Sequence, residues 1–582
     1  MVPVEASQLP EFGREFLDAD STFTRIGDGL IGGKAAGLLR AQRDILSRLG
    51  EDESSGFDIA VPTLTVIATG VFDSFMERND LYDIALSDRD DEAIARAFQS
   101  TEFPAEFVGD LRSLISDVHR PLAVRSSSLL EDALDHPFAG VYGTKMIPNN
   151  QADTDTRFHR FVEAIKFVYA STFFAEPKSY MGTIDRDIRE EKMAVIVQEI
   201  VGERWNSRFY PAISGVGRSH NFYPTGRSEP SDGVVNLALG LGKEIVDGGI
   251  TWTYSPAHPK APPPYAGVGD LMKNTQTGFW AVNMGAAPPH DPIRETEYLV
   301  RGTLDDATSD GSLTTLCSTY DPNSERMRPG FRKDGAKVLD FAPILTLDTL
   351  PLNTLVRRLI ELTREALGGE VEIEFAVALD PLGRKRPRFG FLQARPMMVS
   401  LDEVSVTDED LVNEAALVAS RNVLGNGERN DIQDIIYARP DVFEAKHTPR
   451  IARDIDEINR ALIKDGKRSL LIGFGRWGSS DPWLGIPVDW GQVSSARVIV
   501  EATMPGMNPD LSQGSHFFHN LLSFRVLYLS VPRAHAAGIR WDVLDGLPAT
   551  SETDLVRHVR LEKPLRVRVD GHSGRGVIDH VG

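Results

Sequence analysis

At 582 residues the chain is longer than one hydrophobic core serves, so several domains are expected. Its 41% apolar and 25% charged residues are those of an ordinary globular protein rather than a disordered or fibrous one. A formal charge of -21 argues against nucleic acid and anionic membrane surfaces as general partners, since most of the exterior would repel them. An anionic substrate would need a local basic pocket. The single cysteine, Cys317, excludes an internal disulfide and a cysteine-ligated cluster and suits a reducing compartment. The segment MVPVEASQLPEFGREFLDAD is acidic where a leader peptide needs a basic start, and no run approaches about eighteen apolar residues. A cytoplasmic protein with no membrane span is the expectation.

In chain order, LIGGKAAGLLRAQRDILSRLG, Leu30 to Gly50, places Ala35, Leu38, Leu39, Ala41, Ile45, Leu46 and Leu49 at helical spacing, with Gly50 where a capping glycine belongs. DIAVPTLTVIATGVFDSFMERN then reads as a short strand entering a helix, which begins an α/β pattern. PLAVRSSSLLEDALDHPFAGVYGTKMIP is a brief strand, a serine-rich turn and a loop returning to strand. FVEAIKFVYASTFFAEPKSYM is helical, and Ala194 to Val201 forms a continuous apolar run typical of a buried strand. VVNLALGLGKEIVDGGITWTYSP is a glycine-punctuated loop between strands. EVEIEFAVALDPLGRKRPRFGFLQARPM predicts an antiparallel hairpin. Past Ser400 the chain becomes acidic and polar, and a domain boundary is placed near residue 400.

Three of these segments carry groups suited to phosphate chemistry. Amides at a helix start point outward unsatisfied, so Gly32 and Gly33 followed by Lys34 are either a plain glycine-started helix or an anion site. Arg125, emerging from an apolar run, either pairs with a carboxylate of its own protein or grips phosphate oxygens. Strand alternation puts Glu370, Glu372 and Glu374 on one face, and Gln393 with Arg395 on one face of the partner strand. A carboxylate and an amide oxygen projecting together suit Mg²⁺, which accepts a few protein oxygens and takes the rest from phosphates and water. The same pattern fits a solvated hairpin face with cross-strand Glu–Arg pairs.

Taken in order, GGKAAGL, VPTLTVIATGVFDSF, AVRSSSLLEDALDHPFAGVYGT, AVIVQEIV, ALGLGKEIVDGG and EIEF…FLQARPM resemble the ATP-grasp nucleotide-binding domain of phosphoenolpyruvate synthase and pyruvate phosphate dikinase, which also occurs in rifampin phosphotransferase and glucan water dikinases. The resemblance runs over roughly residues 20 to 400. It implies an α/β (α+β) fold: an ATP-grasp domain of two subdomains, 1–200 and 201–400, the latter carrying the metal-binding hairpin, then a C-terminal α/β domain over 401–582. It implies ATP and Mg²⁺ as cofactors. Lys34 and Arg125 would hold the ATP phosphates, Glu374 and Gln393 would coordinate Mg²⁺, and Arg395 would stabilise the departing phosphoryl group. Gln198 and the segment Glu199 to Val201 would line the adenine pocket.

The chain departs from that family in several places. Lys243 stands where the family has an acidic residue, or that residue is shifted to Glu244, which leaves a third metal ligand open. AISGVGRSHNFYP differs from the family stretch and adds His220. After residue 400 neither the carrier-histidine signature nor room for a TIM barrel is found. SQGSHFFHNLLSF offers His516 as a candidate acceptor or, with His519, a metal pair, and GFGRWGSSDPWLG offers Gly473, Gly475, Arg476 and Gly478 as an anion loop or a packed turn.

The implied activity is an ATP-dependent phosphotransferase, a kinase of the phosphoenolpyruvate synthase type. Its acceptor would be a histidine, pyruvate or another small molecule, or a separate phosphocarrier protein. Two other readings stay open: a non-catalytic ATP-binding regulatory module, and an antibiotic- or glucan-phosphorylating dikinase.

Overall fold

In the computed structural model the described residues are 4–580 apart from 14–21, 51–55, 132–139, 184–185, 262–266, 381–382, 398–403, 480–482, 504–516, 518–520, 522–523, 532–537 and 572. The chain divides into two compact units, one of Met1–Ser219, Asp232–Ile245 and Ile250–Met397, the other of His220–Ser231, Val246–Gly249 and Met398–Gly582. Both mix helices with sheets, as the α/β reading expects.

The first unit is built on two main sheets. One combines β1 (Phe23–Ile26), β3 (Leu64–Ile67), β4 (Leu122–Ser128), β5 (Thr144–Ile147) and β6 (Met193–Glu199) in the order β1-β3-β6-β4-β5. Every residue of β6 from Met193 to Gln198 is buried, which its unbroken apolar run requires. The second sheet joins β2 (Asp58–Ala60), β9 (Ile213–Arg218), β10 (Val234–Ala238), β11 (Trp252–Tyr254) and a hairpin of β14 (Val371–Ala378) and β15 (Arg388–Pro396), in the order β11-β10-β9-β14-β15-β2. A smaller sheet runs β13 (Leu299–Thr303), β12 (Gly278–Asn283), β8 (Arg208–Tyr210), β7 (Glu203–Trp205). Helices α1 (Gly32–Arg40), α2 (Thr69–Arg78), α3 (Thr154–Ser171) and α4 (Leu352–Leu367) bury apolar stripes; on α4 these are Leu352, Leu355, Val356, Leu359 and Leu362, at helical spacing.

Local details differ from expectation. The helix from Leu30 continues past α1 through a π turn, Ala41–Ile45, and a 3₁₀ turn, Leu46–Arg48, and ends on an extended Leu49, one residue before the anticipated Gly50 cap. The serine run is strand rather than turn: Ser126, Ser127 and Ser128 pair with Val195, Ala194 and Met193. Buried serines tolerate that position because their hydroxyls find partners: Ser126 donates to Glu131, and Ser127 to the carbonyl of Ile31. The buried run ends as strand at Glu199, two residues early. Glu370 precedes β14, where Arg364 and Ser219 hold it, so the carboxylate row of the hairpin is Glu372 and Glu374.

The second unit centres on a nine-stranded sheet. Eight strands run β16 (Ala416–Ser420), β23 (Arg575–Asp579), β22 (Val556–Asp570), β18 (Gly427–Ala438), β19 (Ser469–Phe474), β20 (Ala496–Ala502), β21 (Leu527–Val531), β17 (Asn422–Leu424), and Ala549–Glu552 pairs with β22. β18 to β21 are mutually parallel. α5 (Thr448–Lys464) makes the crossover from β18 to β19 and buries Ile451, Ala452, Ile455 and Leu462. Among the described residues no helix is long and apolar enough to cross a membrane.

Candidate functional site

The start of α1 shows what the paired glycines do. A Cβ on Gly32, whose φ is +76°, would fall 1.7 Å from the Ser127 carbonyl oxygen, and one on Gly33 would fall 1.8 Å from that of Glu131. The glycines therefore let the helix seat against the end of β4 and the turn beyond it. Lys34 is the group this seating delivers. Its Nζ lies 2.6 Å from Glu131 Oε1 and 3.2 Å from Ser126 Oγ. Glu131 is buried and also accepts from Ser126 Oγ at 2.8 Å and from the Ser128 amide at 2.9 Å.

Arg125, next along β4, has a different environment. Nη1 donates to Gln198 Oε1 and to the Leu392 carbonyl, both at 3.2 Å, and Nη2 donates to Gln393 Oε1 at 3.0 Å. Among the described residues no carboxylate pairs with it. Gln198 sits on β6 opposite Ala123 and Gln393 sits on β15, so one guanidinium ties the two main sheets through neutral acceptors. A partly buried cation among amides and carbonyls is hydrogen-bonded but has no opposite charge against it.

On the hairpin, Glu374 and Gln393 are direct cross-strand partners, just before a bulge between Glu374 and Phe375. The bulge lets strand pairing change register beside these two side chains. Arg395 is opposite Glu372, and the pairing is buried rather than solvated: Arg395 donates to Glu372 Oε1 through Nε at 2.8 Å and Nη2 at 2.5 Å, while Arg218 Nε donates to Oε2 at 2.6 Å. Arg218 also reaches Asn236 Oδ1 at 3.0 Å. Burial pulls the Arg218 guanidinium downward, opposed by Glu372 beside it and more weakly by Glu374. Two arginines on one carboxylate leave one net positive charge in this group.

Glu199, Ile200 and Val201 form one wall of a cavity of about 550 Å³, shared with Arg120, Arg388 and Phe389. The Glu199 carboxyl stands 3.8 Å from Arg120, and burial raises its pKa against the opposing pull of Arg120 and Arg388. Val201 packs with Ala376 and Ala378 of β14 and with Leu392, a patch of small apolar groups close to Gln393. The wall is fixed by its backbone, with the Glu199 amide on the Thr63 carbonyl and the Ile200 amide on that of Pro121.

The other described candidates have partners of their own. Glu244 is paired with Arg301 at 2.5 Å and Lys243 lies 3.6 Å from Glu295. His220 contacts Phe222 in the second unit. The GFGRWG loop packs on itself: a Cβ at Gly478 would strike Phe517, one at Gly473 would strike Trp477, and buried Arg476 donates to the Gly248 and Gly249 carbonyls. Gly514, Ser515, His516 and His519 lie outside the described residues.

Sequence reasoning missed Glu131 and Glu191. Glu131 follows the serines in RSSSLLED, and that spacing was its only signal. Glu191, just before β6, lies against Ser128 and Tyr142 and near Glu131, and burial pushes its carboxyl up to about 7. No described cluster of three or more His, Cys, Asp or Glu could hold a metal alone. The oxygen pair of Glu374 and Gln393 suits an ion that arrives with phosphates.

Comparison with known proteins agrees with this picture. A family model described as the pyruvate phosphate dikinase AMP/ATP-binding domain matches residues 28–415. An uncharacterized phosphotransferase, YvkC, of Bacillus subtilis (strain 168) is 28% identical over 196 residues, which cover 33% of this chain and 21% of that protein. A phosphoenolpyruvate synthase of Aeropyrum pernix is 28% identical over 247 residues, covering 38% of this chain and 26% of its own length. The aligned part thus spans about a fifth to a quarter of these curated relatives.

Proposed function

The chain belongs to the family of pyruvate phosphate dikinase AMP/ATP-binding domains, and from that premise we propose that it binds Mg-ATP in its first unit and transfers a phosphoryl group to a histidine, a small molecule such as pyruvate, or a protein carrier. The observation that carries the proposal is Arg125, whose guanidinium has three neutral acceptors and no carboxylate among the described residues. The ATP phosphates supply the missing counter-charge. Lys34, held meanwhile by Glu131, turns to the same phosphates, and Gln198 orients Arg125. The wall from Glu199 to Val201, with Ala376, Ala378 and Leu392, receives the flat adenine ring.

Glu374 and Gln393 would hold Mg²⁺, which would neutralise charge on the phosphate oxygens. The side chains do the remaining work by position. Arg395, fixed through Glu372, adds positive charge on the hairpin for the departing phosphoryl group, which needs alignment and electrostatic support more than covalent help. The same reading takes 1–200 and 201–400 as the two ATP-grasp subdomains and 401–582 as a separate C-terminal domain.

The test is incubation with ATP, Mg²⁺ and pyruvate, followed by phosphorus NMR, beside a Lys34→Ala control. AMP that disappears in the control supports transfer of the dikinase type, and ADP alone marks a simple kinase. Binding of ATP without turnover, with or without cell extract, overturns the enzyme reading in favour of a regulatory module.

A further inference from the structure

The second unit contains a cationic cluster outside the residues used above. Arg429 lies near the start of β18, Arg468 immediately precedes β19, and Arg497 is the second residue of β20. Parallel pairing of these strands gathers their beginnings at one end of the sheet. Between β19 and β20 the register slips, with Ser469 opposite Ala496 and Leu470 opposite Val498. Arg497 is the extra residue of that bulge, a place where a strand re-aims a side chain.

Two of the guanidinium groups converge on a single oxygen. Asp431 Oδ2 lies 2.8 Å from Arg429 Nη2 and 3.3 Å from Arg468 Nη1, so these nitrogens stand within about 6 Å of each other. Arg497 Nη1 donates to the carbonyls of Ser494 at 2.8 Å and Ala496 at 3.0 Å, and among the described residues no carboxylate is within ion-pair distance of it. Burial, with Arg468 and Arg429 beside it, pushes its guanidinium down to about 10, so it stays charged at neutral pH. Three cations therefore share one anion in a chain with a formal charge of -21. Nearby acids are engaged elsewhere: Glu428 with Arg566 at 2.9 Å, Asp465 with Lys467 at 2.6 Å, and Asp434 with His558 and Arg560. Arginines converging on one oxygen, with surplus charge behind them, form a receptor for a tetrahedral oxyanion.

We propose that Arg429, Arg468 and Arg497 form a phosphate-binding site for inorganic phosphate or the phosphate group of a small phosphomonoester, with Asp431 occupying the position of one phosphate oxygen until the ligand displaces it. The site lies within the second unit and stands or falls independently of the nucleotide reading. It is tested on the full chain carrying Lys34→Ala, which weakens phosphate binding at the proposed nucleotide site, by calorimetric titration at low ionic strength with inorganic phosphate and with glycerol 3-phosphate.

One equivalent is expected to bind. Affinity should fall about tenfold or more in Arg468→Gln, a half-exposed position that folding tolerates. It should rise in Asp431→Asn, which removes the competing carboxylate. A purely structural cluster would not show that gain. Equal binding of the two probes assigns recognition to the phosphate alone, and preference for the ester adds an organic contact; both support the site. Phosphate binding that is absent, or unchanged by both substitutions, overturns it. So does binding of a short single-stranded oligonucleotide when neither small phosphate binds.

Discussion

Arg125 on β4 and Arg395 on β15 are both arginines on buried strands of the first unit, yet their partners are opposite in kind. Arg395 shares buried Glu372 with Arg218, and the Glu372 carboxylate accepts hydrogen bonds from both guanidinium groups. Arg125 meets two side-chain amides and a backbone carbonyl. The difference teaches that the partner's charge, more than the arginine's burial, separates a cation clamped by a carboxylate from one that no carboxylate among the described residues offsets.

The largest expected effect comes from breaking the first kind. Glu372→Ala leaves Arg218, which is fully buried, and Arg395 without their counter-ion, and removal of one partner from a buried ion group costs about 3–5 kcal/mol. Urea or thermal unfolding should show that loss. A change below about 1 kcal/mol would mean that the triad contributes little, and the contrast with Arg125 would collapse.

A smaller effect is expected at Glu191, behind the Lys34–Glu131 pair. Its carboxyl keeps a proton up to about pH 7 in the folded chain, whereas an ordinary glutamate loses it near 4.5. Folding therefore retains a proton between those values. Stability falls as pH rises from about 4.5 to 7 and stays lowered above that. Glu191→Gln cannot ionise, so it should match the parent near pH 4.5 and exceed it by about 1–3 kcal/mol at pH 8. Parallel melting curves at the two pH values check this, and a variant equally shifted at both would refute the assigned cause.

These contrasts mark how far the sequence could be read. The hairpin, β6 and the helix after Lys34 were legible because their apolar periodicities are long and unbroken. That Glu374 and Gln393 share a hairpin face followed from strand alternation, although their direct pairing and the bulge beside them did not. The serine run was misjudged because serines signal turns when hydrogen-bonding partners are unknown, and here Glu131 and the Ile31 carbonyl supply them. The pair Gly32–Gly33 has a packing reason that spacing alone does not give: it makes room for the Ser127–Glu131 backbone. Partner identity across sheets is a tertiary fact, so the amide cradle of Arg125 could not be assigned from spacing, and the cross-strand Glu–Arg pair expected on the hairpin proved buried and shared with Arg218 rather than solvated. The gathering of Arg429, Arg468 and Arg497 was invisible for the same reason, since it depends on the order of parallel strands.

The smallest expected effect on stability is the one that sharpens the comparison most. Arg125→Met keeps the unbranched stem of the side chain and removes three hydrogen bonds to neutral groups, each worth about 1 kcal/mol or less net. It also relieves a cation that lacks a carboxylate, so the two contributions oppose each other and unfolding should change by less than about 1 kcal/mol. ATP affinity measured on the same preparation should fall at least tenfold, about 1.4 kcal/mol, because the counter-charge for the phosphates is gone. Stability lost on the scale of Glu372→Ala, with ATP affinity intact, would make Arg125 a structural cation and remove the main support for a phosphate site at β4.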